Sequence, residues 1–262
     1  MKTVILCGGY GTRIREVAEN LPKPMIPVGD HPILWHIMKS YAHFGHTDFV
    51  LCLGYKSDVI KNYFLNYGTI PSDLTITLGG KTPNLKHLAT PEDGWNITLA
   101  ETGLNAMTGA RVKRIRQHIG SDDTFMLTYG DGVGDIDIDA LLTFHRAHGK
   151  IATVTGVRPP GRFGELVYNE KSKKVEGFNE KPQVSGGLIN GGFFVFNKEI
   201  FDYLSDDEQL ILEQEPIHKL VADGQLQVFE HNGFWQPMDT SREYGLLNEM
   251  YENQHAPWVK WK

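Results

Sequence analysis

Three glycines in four positions, Gly8, Gly9 and Gly11, directly follow the apolar run Thr3-Val4-Ile5-Leu6-Cys7. Thr12 and Arg13 come straight after them. The run reads as a buried first strand. The glycines beyond it leave backbone N–H groups uncovered, so residues 6–13, Tyr10 included, can close around phosphate oxygens. Thr12 adds a hydroxyl and Arg13 a planar fork of donors. Lys23, in Leu21-Pro22-Lys23-Pro24-Met25, adds a mobile point charge. Together these residue types suit capture of a polyphosphate, and the stretch reads as a nucleoside triphosphate cradle.

Other glycine-loop chemistries fit less well. A Walker loop requires Lys-Ser/Thr directly after its last glycine, where this chain has Thr12-Arg13. A dinucleotide fingerprint begun at Gly9 and Gly11 would need a third glycine where Ile14 stands, and Asp30 lies in a Gly-Asp-His-Pro turn rather than at a strand end. A plain glycine-rich strand-to-helix turn accounts for the glycines but not for Arg13 and Lys23. Polyanions held together leave a repulsion that Arg and Lys alone do not cancel, so a polyphosphate cradle calls for a divalent cation. Asp131, between Gly130 and Gly132 after the apolar run Thr124-Phe125-Met126-Leu127-Thr128, is a candidate ligand. In open parallel sheets ligands bind outside the carboxyl ends of strands, where this aspartate falls. Turn or capping aspartates are the bland reading, and Asp135, Asp137 and Asp139 fit it.

The elements around these residues alternate. From residue 1 to about 160, apolar strands alternate with amphipathic helices, the pattern of a mainly parallel sheet covered on both faces. Pro32 opens a helix with Ile33, Leu34, Ile37, Met38 and Tyr41 on its apolar face. Phe49–Leu53 reads as the second strand and leads to a helix capped by Ser57. Residues 67–95 are irregular, with strand alternation only at Leu74-Thr75-Ile76-Thr77-Leu78, and read as an excursion near the site or a subunit contact. Beyond Pro159-Pro160-Gly161 the strands shorten. The expected fold is α/β: a Rossmann-like mixed, mainly parallel sheet with helices on both faces plus a smaller β-rich subregion. It forms a single domain over 1–262, with a nucleotide-binding part over 1–158 and a second part over 159–262.

Composition narrows the classes. Hydrophobic content of 40% and charged content of 22% suit a globular protein able to bury a large core. No apolar run approaches the roughly 20 residues that cross a membrane. Met1-Lys2 leads straight into a strand, which points to a cytoplasmic protein. Net charge of −6 disfavours nucleic-acid and acidic-membrane partners. A local basic cradle still acts, because distant charge is screened beyond about 8 Å. Cys7 and Cys52 read as a reduced, packed pair. His31, His36, His43 and His46 lack the spacing of a zinc site.

Leu6-Cys7-Gly8-Gly9-x-Gly11-Thr12-Arg13 followed by Pro22-Lys23-Pro24-Met25 resembles the signature of the sugar nucleotidyltransferases, the sugar-1-phosphate pyrophosphorylases. Further segments resemble their cytidylyl branch. They include Met107-Thr108-Gly109-Ala110-Arg111, Tyr129-Gly130-Asp131-Gly132-Val133, Asn190-Gly191-Gly192-Phe193 and Trp235-Gln236-Pro237-Met238-Asp239-Thr240. The resemblance implies transfer of a cytidylyl group from CTP to glucose 1-phosphate, with magnesium as cofactor, in deoxysugar and surface-polysaccharide synthesis by a homo-oligomer. It assigns Asp239, by itself a helix-entry acid, to the metal beside Asp131. Catalysis falls to Arg13 and Lys23. Nucleotide contacts fall to residues 6–13, Thr102, Gly103 and Gly130, with the Thr102-Gly103 turn or the backbone of residues 6–9 able to read the base. Arg111, Glu180, Lys181, Asn190 and Gly191 fall to the substrates, Arg111 and Lys181 on the sugar-phosphate side. A uridylyl- or thymidylyltransferase would share every cradle residue, and a non-catalytic sugar-nucleotide sensor on the same fold is the alternative from another class.

Overall fold

The computed structural model describes residues 1–11, 14, 20–67, 92, 94–159, 165–168, 172–179 and 187–261, with the backbone path alone for 165–168 and 176–179. The elements in chain order begin with β1 (Thr3–Leu6), a 3₁₀ turn over Lys23–Met25, β2 (Pro27–Val28), β3 (His31–Pro32), α1 (Ile33–His43), β4 (Asp48–Leu53) and α2 (Ser57–Leu65). Then come β5 (Asn96–Glu101), α3 (Thr108–Arg114), α4 (Arg116–Ile119), β6 (Thr124–Tyr129), β7 (Gly132–Gly134), α5 (Ile138–His148) and β8 (Ala152–Val157). The rest are β9 (Glu165–Tyr168), β10 (Val175–Asn179), β11 (Ile189–Asn197), a 3₁₀ segment over Lys198–Tyr203, α6 (Glu215–Ala222), β12 (Leu226–His231), β13 (Trp235–Pro237) and α7 (Ser241–Glu252).

Seven strands form one sheet in the order β12-β8-β11-β6-β1-β4-β5. β1 pairs in parallel with β4 and β6, β4 with β5, and β8 with β12; β11 alone runs antiparallel, between β6 and β8. The sheet therefore crosses the division at residue 159. β9–β10, β7–β13 and β2–β3 form separate two-stranded antiparallel pairs. Alternation along β1 shows why its run is apolar throughout. Ile5 and Cys7 pack with α1, α5 and α7 on one face, while Val4 and Leu6 pack with α3, α4 and α6 on the other. A strand covered on both faces has no polar side to present.

Local expectations fare differently. The apolar face of α1 is buried as its spacing predicts, and Asp137 caps α5 by accepting from the Ala140 N–H at 2.9 Å. Lys56, in the left-handed region at φ 51°, is the N-cap of α2 where Ser57 is expected to cap; Ser57 is instead the first helical residue. The strand expected at Leu74–Leu78 lies outside the described residues. Cys7 and Cys52 are buried free thiols, and burial pushes both pKa values up, that of Cys52 to about 12. Neither supplies a thiolate near neutral pH. Among the described residues no helix is long and apolar enough to cross a membrane.

Candidate active site

The carboxyl ends of β1, β4, β5 and β6 share one rim, and β11, being reversed, brings its amino end there. The glycine turn leaves β1 held from both sides. Cys7 N–H donates to Cys52 O at 3.0 Å, Tyr55 N–H to Gly8 O at 3.3 Å, and Gly130 N–H to Leu6 O at 3.0 Å. A cleft of about 410 Å³ opens over the turn, lined by Gly8, Gly9, Gly11, Lys23, Asn105 and Thr108 among others. A second cleft of about 320 Å³ is lined by Asn190, Gly191 and Trp235 among others. Tyr129, Asp131 and Asp239 belong to both, so the acids stand on the wall between the two clefts.

Backbone pairing sets the acids side by side. β7 and β13 pair antiparallel, and Met238 N–H donates to Asp131 O at 2.8 Å just beyond the last pair. Asp239 then leads into α7, whose N-cap is Thr240. Glu243 N–H donates to the Thr240 hydroxyl at 3.3 Å, and the Glu243 carboxylate accepts from the backbone N–H groups of Asp239 and Thr240 at 2.7 and 3.0 Å. This capping box fixes the backbone from which the Asp239 carboxylate projects.

Lys23 enters from a third element. Prolines on both sides and the 3₁₀ turn fix its backbone, and Gly11, in the left-handed region at φ 58°, leaves room beside its Cβ. The Lys23 ammonium donates to Asp131 Oδ2 at 2.6 Å and to Asp239 Oδ1. Burial would lower the lysine pKa, but the charge of Asp131 and the bonds to both carboxylates outweigh it and hold the pKa above its ordinary value. Two carboxylates thus converge on one positive centre, the Lys23 ammonium. Among the described residues no group of three or more His, Cys, Asp and Glu side chains gathers for a metal. An oxygen-only pair fits a hard divalent ion that takes its remaining ligands from phosphate and water.

Arg111 lies buried under the glycine turn and lines the first cleft from below. Nη1 donates to Leu53 O, Thr102 Oγ1 and Gly103 O at 2.9, 2.9 and 2.8 Å, and Nη2 to Gly8 O at 3.0 Å. A Cβ on Gly8 or Gly54 would fall within 2.6 Å of this guanidinium, so close approach of Arg111 requires glycine at both positions. The Thr102-Gly103 turn is correspondingly occupied. Thr102 is buried, its carbonyl accepts from Arg114 at 2.6 Å, and the residues lining the cleft are the next five, 104–108. Arg114 therefore helps hold this turn.

Leu6, Cys7, Gly8, Gly9, Tyr10, Gly11, Lys23, Gly130 and Asp131 all line the first cleft, and Asn190 and Gly191 line the second. Thr12, Arg13, Glu180 and Lys181 lie outside the described residues. A polar chain that sequence reasoning missed joins the two clefts. Asn190 Nδ2 donates to Tyr129 Oη at 3.2 Å, Tyr129 Oη donates to Glu213 Oε1, and Thr108 Oγ1 donates to Glu213 Oε2 at 2.6 Å. Burial first, then the Glu213 charge, raises the Tyr129 pKa, so the phenol keeps its proton. The available signal was slight: Tyr129 adjoins Gly130-Asp131, while Glu213 lies in a polar stretch with no periodicity.

Residues 2–253 match the family described as Nucleotidyl transferase. The chain is 48% identical over 262 residues to glucose-1-phosphate cytidylyltransferases of Salmonella typhimurium and Salmonella typhi, covering all of this chain and all of each relative. Its fold is similar to the crystal structure of HddC from Yersinia pseudotuberculosis. The TM-score is 0.67 at 20% identity, covering 95% of this chain and 99% of that one.

Proposed function

This chain belongs to the nucleotidyl transferase family, and from that premise we propose that it transfers the cytidylyl group of CTP to α-D-glucose 1-phosphate, releasing pyrophosphate and forming CDP-glucose. Full-length identity of 48% to cytidylyltransferases named for that sugar phosphate supports the substrate pair. The observation that carries the chemistry is the meeting of Asp131, Asp239 and Lys23 on the wall between two clefts.

The reaction is a displacement at the α-phosphorus. A phosphate oxygen of the sugar phosphate forms a bond to that phosphorus, and the bond to the β-phosphate oxygen breaks. The nucleophile is already ionised near neutral pH, so no side chain need remove a proton, and catalysis rests on alignment and charge neutralisation. The first cleft takes the nucleotide, its triphosphate over the backbone of Gly8–Gly11, with Arg13 assigned to the departing pyrophosphate. The second takes the sugar phosphate beside Asn190 and Gly191, with Glu180 and Lys181 assigned to the same reactant. Lys23 steadies the α-phosphate as charge gathers there. Asp131 and Asp239 would hold magnesium, which when bound supplies charge neutralisation between the two reactants' phosphates. Arg111 anchors the glycine turn and lines the same cleft, where it stays assigned to the substrates. The same reading makes the enzyme a cytoplasmic homo-oligomer feeding deoxysugar and surface-polysaccharide synthesis.

Pyrophosphate release from a panel of CTP, UTP, dTTP and GTP with glucose 1-phosphate, with and without magnesium, tests the reading. Release should require magnesium and favour CTP, because cytosine offers an amine donor where uracil and thymine offer a carbonyl. Equal turnover of UTP or dTTP would remove the cytidylyl assignment. No turnover with any nucleotide would leave a sugar-nucleotide sensor.

A further inference from the structure

We propose that Lys23 is a tethered resident cation of the metal site: it occupies the Asp131–Asp239 pair in the free protein and becomes available to the nucleotide's α-phosphate only once a divalent ion takes that pair. The inference rests on the assignment of those two acids to the metal. Its own basis is the position of the ammonium, bonded to both carboxylates at once with its side chain largely enclosed. Two acids facing one point repel each other, and Lys23 removes that repulsion while no metal is bound. A divalent ion on the same oxygens would leave the ammonium beside a like charge, so Lys23 has to leave them.

The fold suits such an exchange. Pro22 and Pro24 and the 3₁₀ turn hold the Lys23 backbone, while the acids are held by the β7–β13 pairing and by the α7 capping box. Rotation about the lysine's own side-chain bonds is then sufficient, and neither strand nor helix need move. Lys23 and Asp131 both line the nucleotide cleft, so the released ammonium stays beside the bound triphosphate. One event thereby exchanges Lys23 for the ion on these oxygens and produces the cationic donor that the reaction uses. Ordering follows: the protein without nucleotide should hold metal weakly, because the ion must first displace Lys23.

Titrating Mn²⁺ into nucleotide-free protein, with the free ion counted by electron paramagnetic resonance, reads this directly. Lys23→Met should bind Mn²⁺ about tenfold or more tightly than the unaltered chain, since one positive charge has left the site. Lys23→Arg should show no such gain, and adding Asp239→Asn to Lys23→Met should abolish it. Equal or weaker Mn²⁺ binding by folded Lys23→Met overturns the proposal. Should that variant fail to fold, the unaltered chain supplies the answer. Acetylation of Lys23 by acetic anhydride, read by mass spectrometry, should rise several-fold as Mn²⁺ is added without nucleotide, and constant labelling overturns the proposal equally. A protein carrying Asp131→Asn and Asp239→Asn that binds Mn²⁺ with CTP as tightly as the unaltered chain would instead overturn the metal-site assignment itself, a failure distinct from the first.

Discussion

Enclosing an ammonium with two carboxylates costs desolvation that apolar side chains of similar volume would avoid. The cluster of Lys23, Asp131 and Asp239 is therefore explained better by chemistry than by stability. If Lys23 stabilises the α-phosphate as charge develops, Lys23→Ala should lower kcat about 10²–10³-fold, the scale of losing one preorganised donor. Steady-state kinetics decide the matter, because a rise confined to the KM for CTP would assign Lys23 to ground-state binding. Asp131→Asn and Asp239→Asn should each abolish magnesium-dependent turnover while circular dichroism stays unchanged, and undiminished activity in either removes that residue from the metal site. The sequence shows these residues unequally. The glycine turn, Lys23 and Asp131 each carry a local signature of turn, charge or strand end. Asp239 lies 216 residues from Lys23, and no spacing reveals that the two meet; it reached the site only through family resemblance. Arg111 is assigned to the substrates by resemblance alone, and only the fold shows the carbonyls that take its N–H groups.

At the scale of elements, apolar runs mark the strands because both faces are covered, yet they carry no sign of direction. The reversal of β11, which brings Asn190 and Gly191 to the rim, is invisible in them. The cap of α2 falls at Lys56, one residue before the expected Ser57, because adjacent residues, not side-chain preference alone, decide which one keeps a non-helical backbone. At α7 the cap has a consequence for the site. Thr240 and Glu243 hold the helix start, and Glu243 also accepts from the Asp239 N–H. Thr240→Ala should lower the free energy of unfolding by about 1 kcal/mol, the usual worth of a cap. Glu243→Ala should cost a comparable amount in urea titration. It should also lower kcat at saturating CTP, because the backbone carrying Asp239 loses its anchor. A Glu243→Ala protein less stable but with kcat unchanged would show that α7 places Asp239 without the capping box.

Across the whole molecule, the last residues close back over the first helix. Trp258 is buried, and its Nε1–H faces Nδ1 of His36 at 3.4 Å, while His36 Nε2 lies 2.8 Å from Val28 O. Both partners favour one neutral tautomer, with the proton on Nε2 and a bare Nδ1. Protonating Nδ1 would set two N–H groups against each other inside a cage that includes Trp35, Tyr251 and Trp261. Burial accordingly lowers the His36 pKa from 6.5 to about 4. Between those values the unfolded chain binds a proton that the folded one refuses, so stability falls as pH drops from 6.5 toward 4 and is unaffected by this group above 6.5. The loss attributable to His36 amounts to roughly 3 kcal/mol at the acid end. His31, His46, His145 and His148, also lowered chiefly by desolvation, add to it with the same sign. Urea unfolding at pH 7 and pH 5 should therefore show a clear acid loss in the unaltered protein and a smaller one in His36→Gln, whatever that variant's stability at pH 7. An identical pH dependence in the two would mean that His36 takes up its proton in the folded state as readily as in the unfolded one, and that Trp258 does not hold the ring neutral.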